Sequence, residues 1–72
     1  MNKIKFNGRD FTDSVPLPCG VTAYFHIHNT DAEPNRIELE GDVIGLLRDN
    51  TWDEILNLID YFIEENYGRT FQ

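Results

Sequence analysis

The sequence predicts an α+β fold: a small antiparallel sheet of three or four strands, one long C-terminal amphipathic helix packed on one face, and a short helix just before it. Three observations predict this. Residues 51–68, TWDEILNLIDYFIEENYG, place apolar residues at helical spacing between two end signals. Residues 21–28, VTAYFHIH, alternate with the period of a strand. Asn7-Gly8, between two short alternating runs, is a strong hairpin signal. Residues 1–72 are read as a single domain. A chain this short buries only about 60% of the surface its unfolded form exposes, so its core is small.

Taken in order, residues 3–6 (KIKF) read as a strand, and residues 9–12 as its return with Phe11 facing in. The alternative is one strand followed by a loop. Residues 13–20 (DSVPLPCG) read as a loop, with Pro16 and Pro18 biasing Val15 and Leu17 towards extended backbone. In residues 21–28, Val21, Ala23, Phe25 and Ile27 point one way; Thr22, Tyr24, His26 and His28 point the other. Residues 29–35 form a polar turn, and residues 36–40 (RIELE) return with Ile37 and Leu39 facing in. A register with His28 opposite Arg36 sets His26 opposite Glu38 and Tyr24 opposite Glu40. The second sheet face, carrying Lys3, Lys5, Thr22, Tyr24, His26, His28, Arg36, Glu38 and Glu40, is then expected to lie in water. Gly41-Asp42 breaks the strand. Val43, Ile44, Leu46 and Leu47 fit a short helix with Asp42 as N-cap, a further strand being the alternative. Gly45 inside it costs up to ~1 kcal/mol against Ala. Residues 48–50 turn the chain into the long helix, and residues 69–72 form a tail.

Thr51 followed three residues later by Glu54 predicts a capping box, and Gly68 suits the left-handed position after the last turn. Trp52, Ile55, Leu56, Ile59, Phe62, Ile63 and Tyr67 fall in one stripe ~140° wide. Trp52, Ile59 and Phe62 are expected beneath the sheet. Leu58 lies at the margin of the stripe and Tyr61 outside it. Asp53, Asn57, Asp60 and Glu64 lie on the solvent side, flanked by Glu54 and Glu65. From Asp49 to Gly68 there are six acids and no Lys or Arg. An ordinary surface helix mixes in bases, since each i,i+4 ion pair stabilises by ~0.2–0.5 kcal/mol. Here Asp60 and Glu64 repel, and Glu64 and Glu65 oppose the negative end of the helix dipole. The plainer reading is the solvated face of an acidic protein. The sharper one is a surface kept anionic for a cationic partner.

Thirteen acids against six bases give a net charge of −7. That balance argues against direct nucleic-acid binding, which needs a basic patch, and against anionic membrane. The excess is uneven: residues 49–72 hold six of the acids and one base. One cysteine excludes an internal disulfide framework. No apolar run approaches the ~20 residues that span a bilayer, and no signal-peptide core follows Lys3, so a cytoplasmic protein is expected.

Catalytic templates are missing. Ser14 lies in no GxSxG motif, and Asn7-Gly8-Arg9 is not a phosphate loop. Cys19 reads as a semi-buried small apolar residue rather than a nucleophile, because no neighbour would lower its pKa. His26 and His28 could reach one metal from the same strand face, with Glu38 or Glu40 as third ligand. A cross-strand His–Glu pair is the more ordinary role for them. No enzymatic activity, cofactor or metal is therefore expected.

In size and charge alone, the chain resembles the small acidic inhibitors that phages make against bacterial restriction and CRISPR systems. The resemblance implies carboxylates placed where nucleic-acid phosphates would bind, and no functional residue is carried over from it. The leading expectation is a small acidic, non-enzymatic binding protein that inhibits or regulates a basic, nucleic-acid-handling protein partner. Its binding residues would be Asp53, Asn57, Asp60, Tyr61, Glu64 and Glu65, with Tyr61 as aromatic anchor. One alternative is a homodimeric structural or assembly module, joined through an edge strand or through Tyr24 and the exposed sheet face. The other is a metal-binding protein using His26 and His28.

Overall fold

Alternation along residues 21–27 sends Ala23 and Phe25 to one side of the central strand and Tyr24 to the other, and the chain covers both sides. The computed structural model describes residues 4–27 and 36–68. Its elements are β1 (Ile4–Phe6), β2 (Arg9–Phe11), β3 (Asp13–Pro16), a 3₁₀ turn at Pro18–Gly20, β4 (Thr22–His26), β5 (Arg36–Glu40), α1 (Val43–Asp49) and α2 (Trp52–Tyr67). The fold is α+β, as expected. Its strands divide into an antiparallel β1–β2 hairpin and an antiparallel sheet of order β3-β4-β5.

The main core lies between this three-stranded sheet and the helices. Val15, Val21, Ala23 and Phe25 meet Leu46 of α1 and Ile55, Ile59 and Ile63 of α2, all buried. Ile37, Leu39 and Phe62 pack at its edge, and Phe62 meets Phe25 edge-on at 5.9 Å between ring centroids.

On the opposite sheet face lies the β1–β2 hairpin. Asn7 (φ 53) and Gly8 (φ 76) both take the positive φ that a type I′ turn requires. Thr12 carries the chain from β2 into β3, and its amide donates to the Phe25 carbonyl. The hairpin folds back over Tyr24. Phe6 stacks on that ring at 4.3 Å and Phe11 tilts against it at 5.9 Å. Phe11 is fully buried yet stands apart from the main core. Arg36 sits 5.1 Å from the Phe11 ring and donates to the Asp10 carbonyl, while Arg9 lies 3.6 Å from Glu38. The second sheet face is thus not left in water, because Phe6 and Phe11 of the hairpin pack against Tyr24 and Arg36 there.

Residues 13–16 were expected to be loop and instead form β3. Proline marks a strand edge as readily as a loop, and Pro16 closes a strand that, among the described residues, pairs on one side only, with β4. The β4–β5 register also differs by two residues. Tyr24 lies opposite Glu38, His26 opposite Arg36 and Thr22 opposite Glu40. A shift of two keeps Ile37 and Leu39 on the core side, so alternation alone does not separate the registers. The observed one places Arg36 under Phe11. Tyr24 still donates to the carboxylate of Glu40, now its diagonal neighbour, at 3.0 Å.

Gly45 has a use that helix propensity hides. The carboxylate of Asp42 turns back to accept from the Gly45 amide at 2.9 Å, and a Cβ at residue 45 would collide with it. Residues 3, 28, 29–35 and 69–72, to which a strand start, a histidine, a turn and a tail were assigned, lie outside the described residues.

Candidate functional site

Helix α2 presents the candidate surface, and both of its ends are fastened. At the start, the Thr51 hydroxyl accepts from the Glu54 amide at 3.2 Å, and the Glu54 carboxylate accepts from the Thr51 amide at 2.8 Å. The bond from the Thr51 amide, with a smaller contribution from the Thr51 side chain, holds the Glu54 carboxyl below its ordinary pKa. At the end, Gly68 takes the left-handed conformation (φ 67) and its amide donates to the Glu64 carbonyl. The Tyr67 hydroxyl donates to the Asp13 carboxylate at 2.6 Å, tying the last turn of α2 to β3. That bond, with partial burial, pushes the Tyr67 phenol up to about 12.

The outer face of α2 carries five carboxylates (Asp53, Glu54, Asp60, Glu64 and Glu65) and no base. Of the residues expected to bind a partner, Asp53, Asn57, Tyr61, Glu64 and Glu65 are exposed, and Asp60 is half-buried. The helix repeat sets Asp60 and Glu64 ~6 Å apart along the axis, and Asp53 and Asp60 ~10.5 Å apart. Asp53, Asn57, Asp60 and Glu64 follow one row. A second row, Glu54, Leu58, Tyr61 and Glu65, runs beside it at i+4, i+7 and i+11. Leu58 is 45% exposed and Tyr61 67% exposed. The sequence placed Tyr61 on the outer surface but left Leu58 at the margin of the buried stripe. Leu58 proves to belong with Tyr61.

Trp52 was expected beneath the sheet and is 46% exposed. It is the first residue of α2, so its helical angle matches the buried stripe while its position along the axis lies a turn before Ile55, the first fully buried residue. Ile44 and Leu47 of α1 are exposed as well. Tyr24, the expected anchor of a sheet-face dimer, lies stacked beneath Phe6.

Other chemistry finds little to build on. His26 faces Arg36 across the strands rather than Glu38, and its Nδ1 lies 3.1 Å from the Thr12 hydroxyl. That hydroxyl also accepts from the Ile27 amide. His28 lies outside the described residues. Among the described residues, no group of three or more His, Cys, Asp or Glu side chains could hold a metal ion. Cys19 is exposed. Among the described residues, no helix is long and apolar enough to cross a membrane. No protein-family model, no curated protein and no solved structure matches the chain.

Proposed function

We propose that this chain is a small acidic, non-enzymatic binding protein that inhibits or regulates a basic protein partner, one that itself handles nucleic acid. One observation carries this reading: the outer face of α2 bears five carboxylates while the helix itself contains no Lys or Arg, on a helix fastened at both ends. Folding alone favours interspersed bases. A fixed row of carboxylates instead offers charge in the positions a cationic groove takes from phosphates, with no ordering of the helix needed on binding. Asp53, Glu64 and Glu65 supply exposed charge, Asn57 hydrogen bonds, and Tyr61 an aromatic contact; Asp60 contributes from the edge of the face.

The test uses a partner captured from the native host on the immobilised chain at low salt. In Asp53→Asn, Glu64→Gln, Glu65→Gln, the affinity for that partner is expected to fall mainly through a slower on-rate, with a flatter dependence on salt. The fold should be as stable as the parent or slightly more so. The control, Asp10→Asn with Glu40→Gln, removes charge elsewhere and should bind as the parent does. A captured partner with no basic surface, or a control that loses binding while the helix variant keeps it, would overturn the assignment.

A further inference from the structure

We infer, resting on the partner class proposed above, that the α2 ridge Glu54–Leu58–Tyr61–Glu65 seats a cationic amphipathic helix, with apolar residues on Leu58 and Tyr61 and Lys or Arg against the two glutamates. The burial that α2 needs for folding is already supplied by Ile55, Ile59 and Ile63, all fully buried. Leu58 and Tyr61 take no part in that core. A lone exposed leucine would mean nothing. Here a leucine and a tyrosine stand one turn apart, and the same row places a carboxylate one turn before and one turn after them.

The row has the dimensions of a helix-docking face. From Glu54 to Glu65 it runs about eleven residue steps, ~16.5 Å or three turns. Its spacing matches the i, i+4, i+7, i+11 contacts through which one helix reads another. The Tyr61 ring adds a face that attracts Lys or Arg as well as apolar carbon.

Charge decides the occupant. A second copy does not fit: an antiparallel pair sets Glu54 against the other copy's Glu65, and a parallel pair sets each glutamate against its equivalent. Nucleic acid and anionic lipid are repelled by the same carboxylates. A helix with bases at both ends of an apolar pair is complementary in sign and in spacing. Its bases would also reach the neighbouring row of Asp53, Asp60 and Glu64.

The probe is a synthetic helical peptide with one face reading Lys-x-x-x-Leu-x-x-Leu-x-x-x-Lys. A second peptide keeps every lysine and replaces both leucines with alanine. Backbone amide shifts of the intact chain are followed as each is added. The leucine peptide should shift amides from Glu54 to Glu65 and bind at least tenfold tighter than the alanine peptide. Leu58→Ala with Tyr61→Ala should abolish that tenfold preference while leaving the spectrum of a folded chain, since alanine is favoured in an exposed helix. Glu54 is left intact because it belongs to the capping box; Glu65→Gln should weaken both peptides. Equal binding of the two peptides would overturn the inference and leave diffuse electrostatic binding, with the broader proposal standing. So would a preference that survives the double alanine change. Shifts along the ridge that depend on the concentration of the chain alone would assign it to a second copy and overturn the inference too. The broader proposal falls separately, if the captured partner has no basic surface.

Discussion

Replacing Phe11 with Ala tests the layer that the hairpin forms. Phe11 is fully buried, between Phe6 at 6.5 Å, Tyr24 at 5.9 Å and the Arg36 guanidinium at 5.1 Å. A buried Phe→Ala change costs ~3–5 kcal/mol, a figure that already contains its aromatic contacts. A chain of 72 residues has about 4–11 kcal/mol of total stability. The loss is thus large enough to unfold the domain, unless it is confined to part of it. The geometry confines it. Phe11 lies outside the helix-facing core, and a hairpin of three-residue strands is not stable without a surface to rest on. The hairpin should therefore detach while the sheet and α2 hold. Amide hydrogen exchange reads this directly. At 1.4 kcal/mol per factor of ten, ladder amides of β1 and β2 should exchange about a hundred- to a few-thousand-fold faster. Amides of Ile59 and Ile63 should change far less. If those two accelerate as much as the hairpin does, the hairpin is not a separate layer. If no amide accelerates, Phe11 is not an anchor at all.

Three other predictions come from the same packing. Ile59→Ala, at a fully buried position in the main core, should cost ~2–5 kcal/mol, seen as a fall in the denaturation midpoint; an unmoved midpoint would show that the buried face of α2 is misassigned. Trp52→Ala should cost less, about 1 kcal/mol, because nearly half the residue is in solvent already. Tyr67→Phe removes the bond to Asp13 and should lower stability by ~1 kcal/mol, the partial exposure of the pair screening a stronger effect. The folded phenol is raised from 10.0 to about 12, so this contribution is complete below pH 10 and lost as the pH climbs to 12. The melting difference between parent and Tyr67→Phe should shrink across that window; a difference that persists above it would mean that the hydroxyl does not stabilise through its bond to Asp13.

The parts of the fold that local rules decide could be read from the sequence. Thr51 with Glu54, Asp42 before an apolar run, Asn7-Gly8 and Gly68 each solve a problem of unpaired amides or of positive φ within a few residues. Their solutions do not depend on the rest of the chain. What could not be read was set by contacts distant in sequence. Alternation in β4 and β5 is unchanged by a slip of two, so the register waits on Arg36 finding Phe11. Pro16 suits both a loop and an edge strand, and only pairing with Thr22 decides between them. The angle of Trp52 on α2 was right and its exposure was not, because a helical wheel carries no information about where the sheet begins. Of the candidate site, the charge and the outward placement of Tyr61 were legible. The partnership of Leu58 with Tyr61 was not, since Leu58 lies where a slightly wider sheet would have covered it.

The hairpin also bears on where a partner could bind. With the second sheet face open, two rival surfaces would be available: the acidic helix and a polar strand face with Tyr24 at its middle. Once Phe6 stacks on Tyr24, that strand face loses its aromatic anchor, and Arg9, Arg36 and Glu38 are spent on contacts between the hairpin and the sheet. The sheet edge at β5 offers backbone groups, but every second side chain along it is charged (Arg36, Glu38 and Glu40), a pattern that discourages strand addition. On the outer face of α2, Glu54 is engaged in the capping box, while Leu58 and Tyr61 are exposed. Its carboxylates are not matched by bases on the helix, and its apolar pair is not used by the core. Side chains that folding does not bury are where selection for binding has the most freedom to act, and that is why the proposed interface is placed on α2 with its centre at the exposed Leu58 and Tyr61 rather than at the capping Glu54.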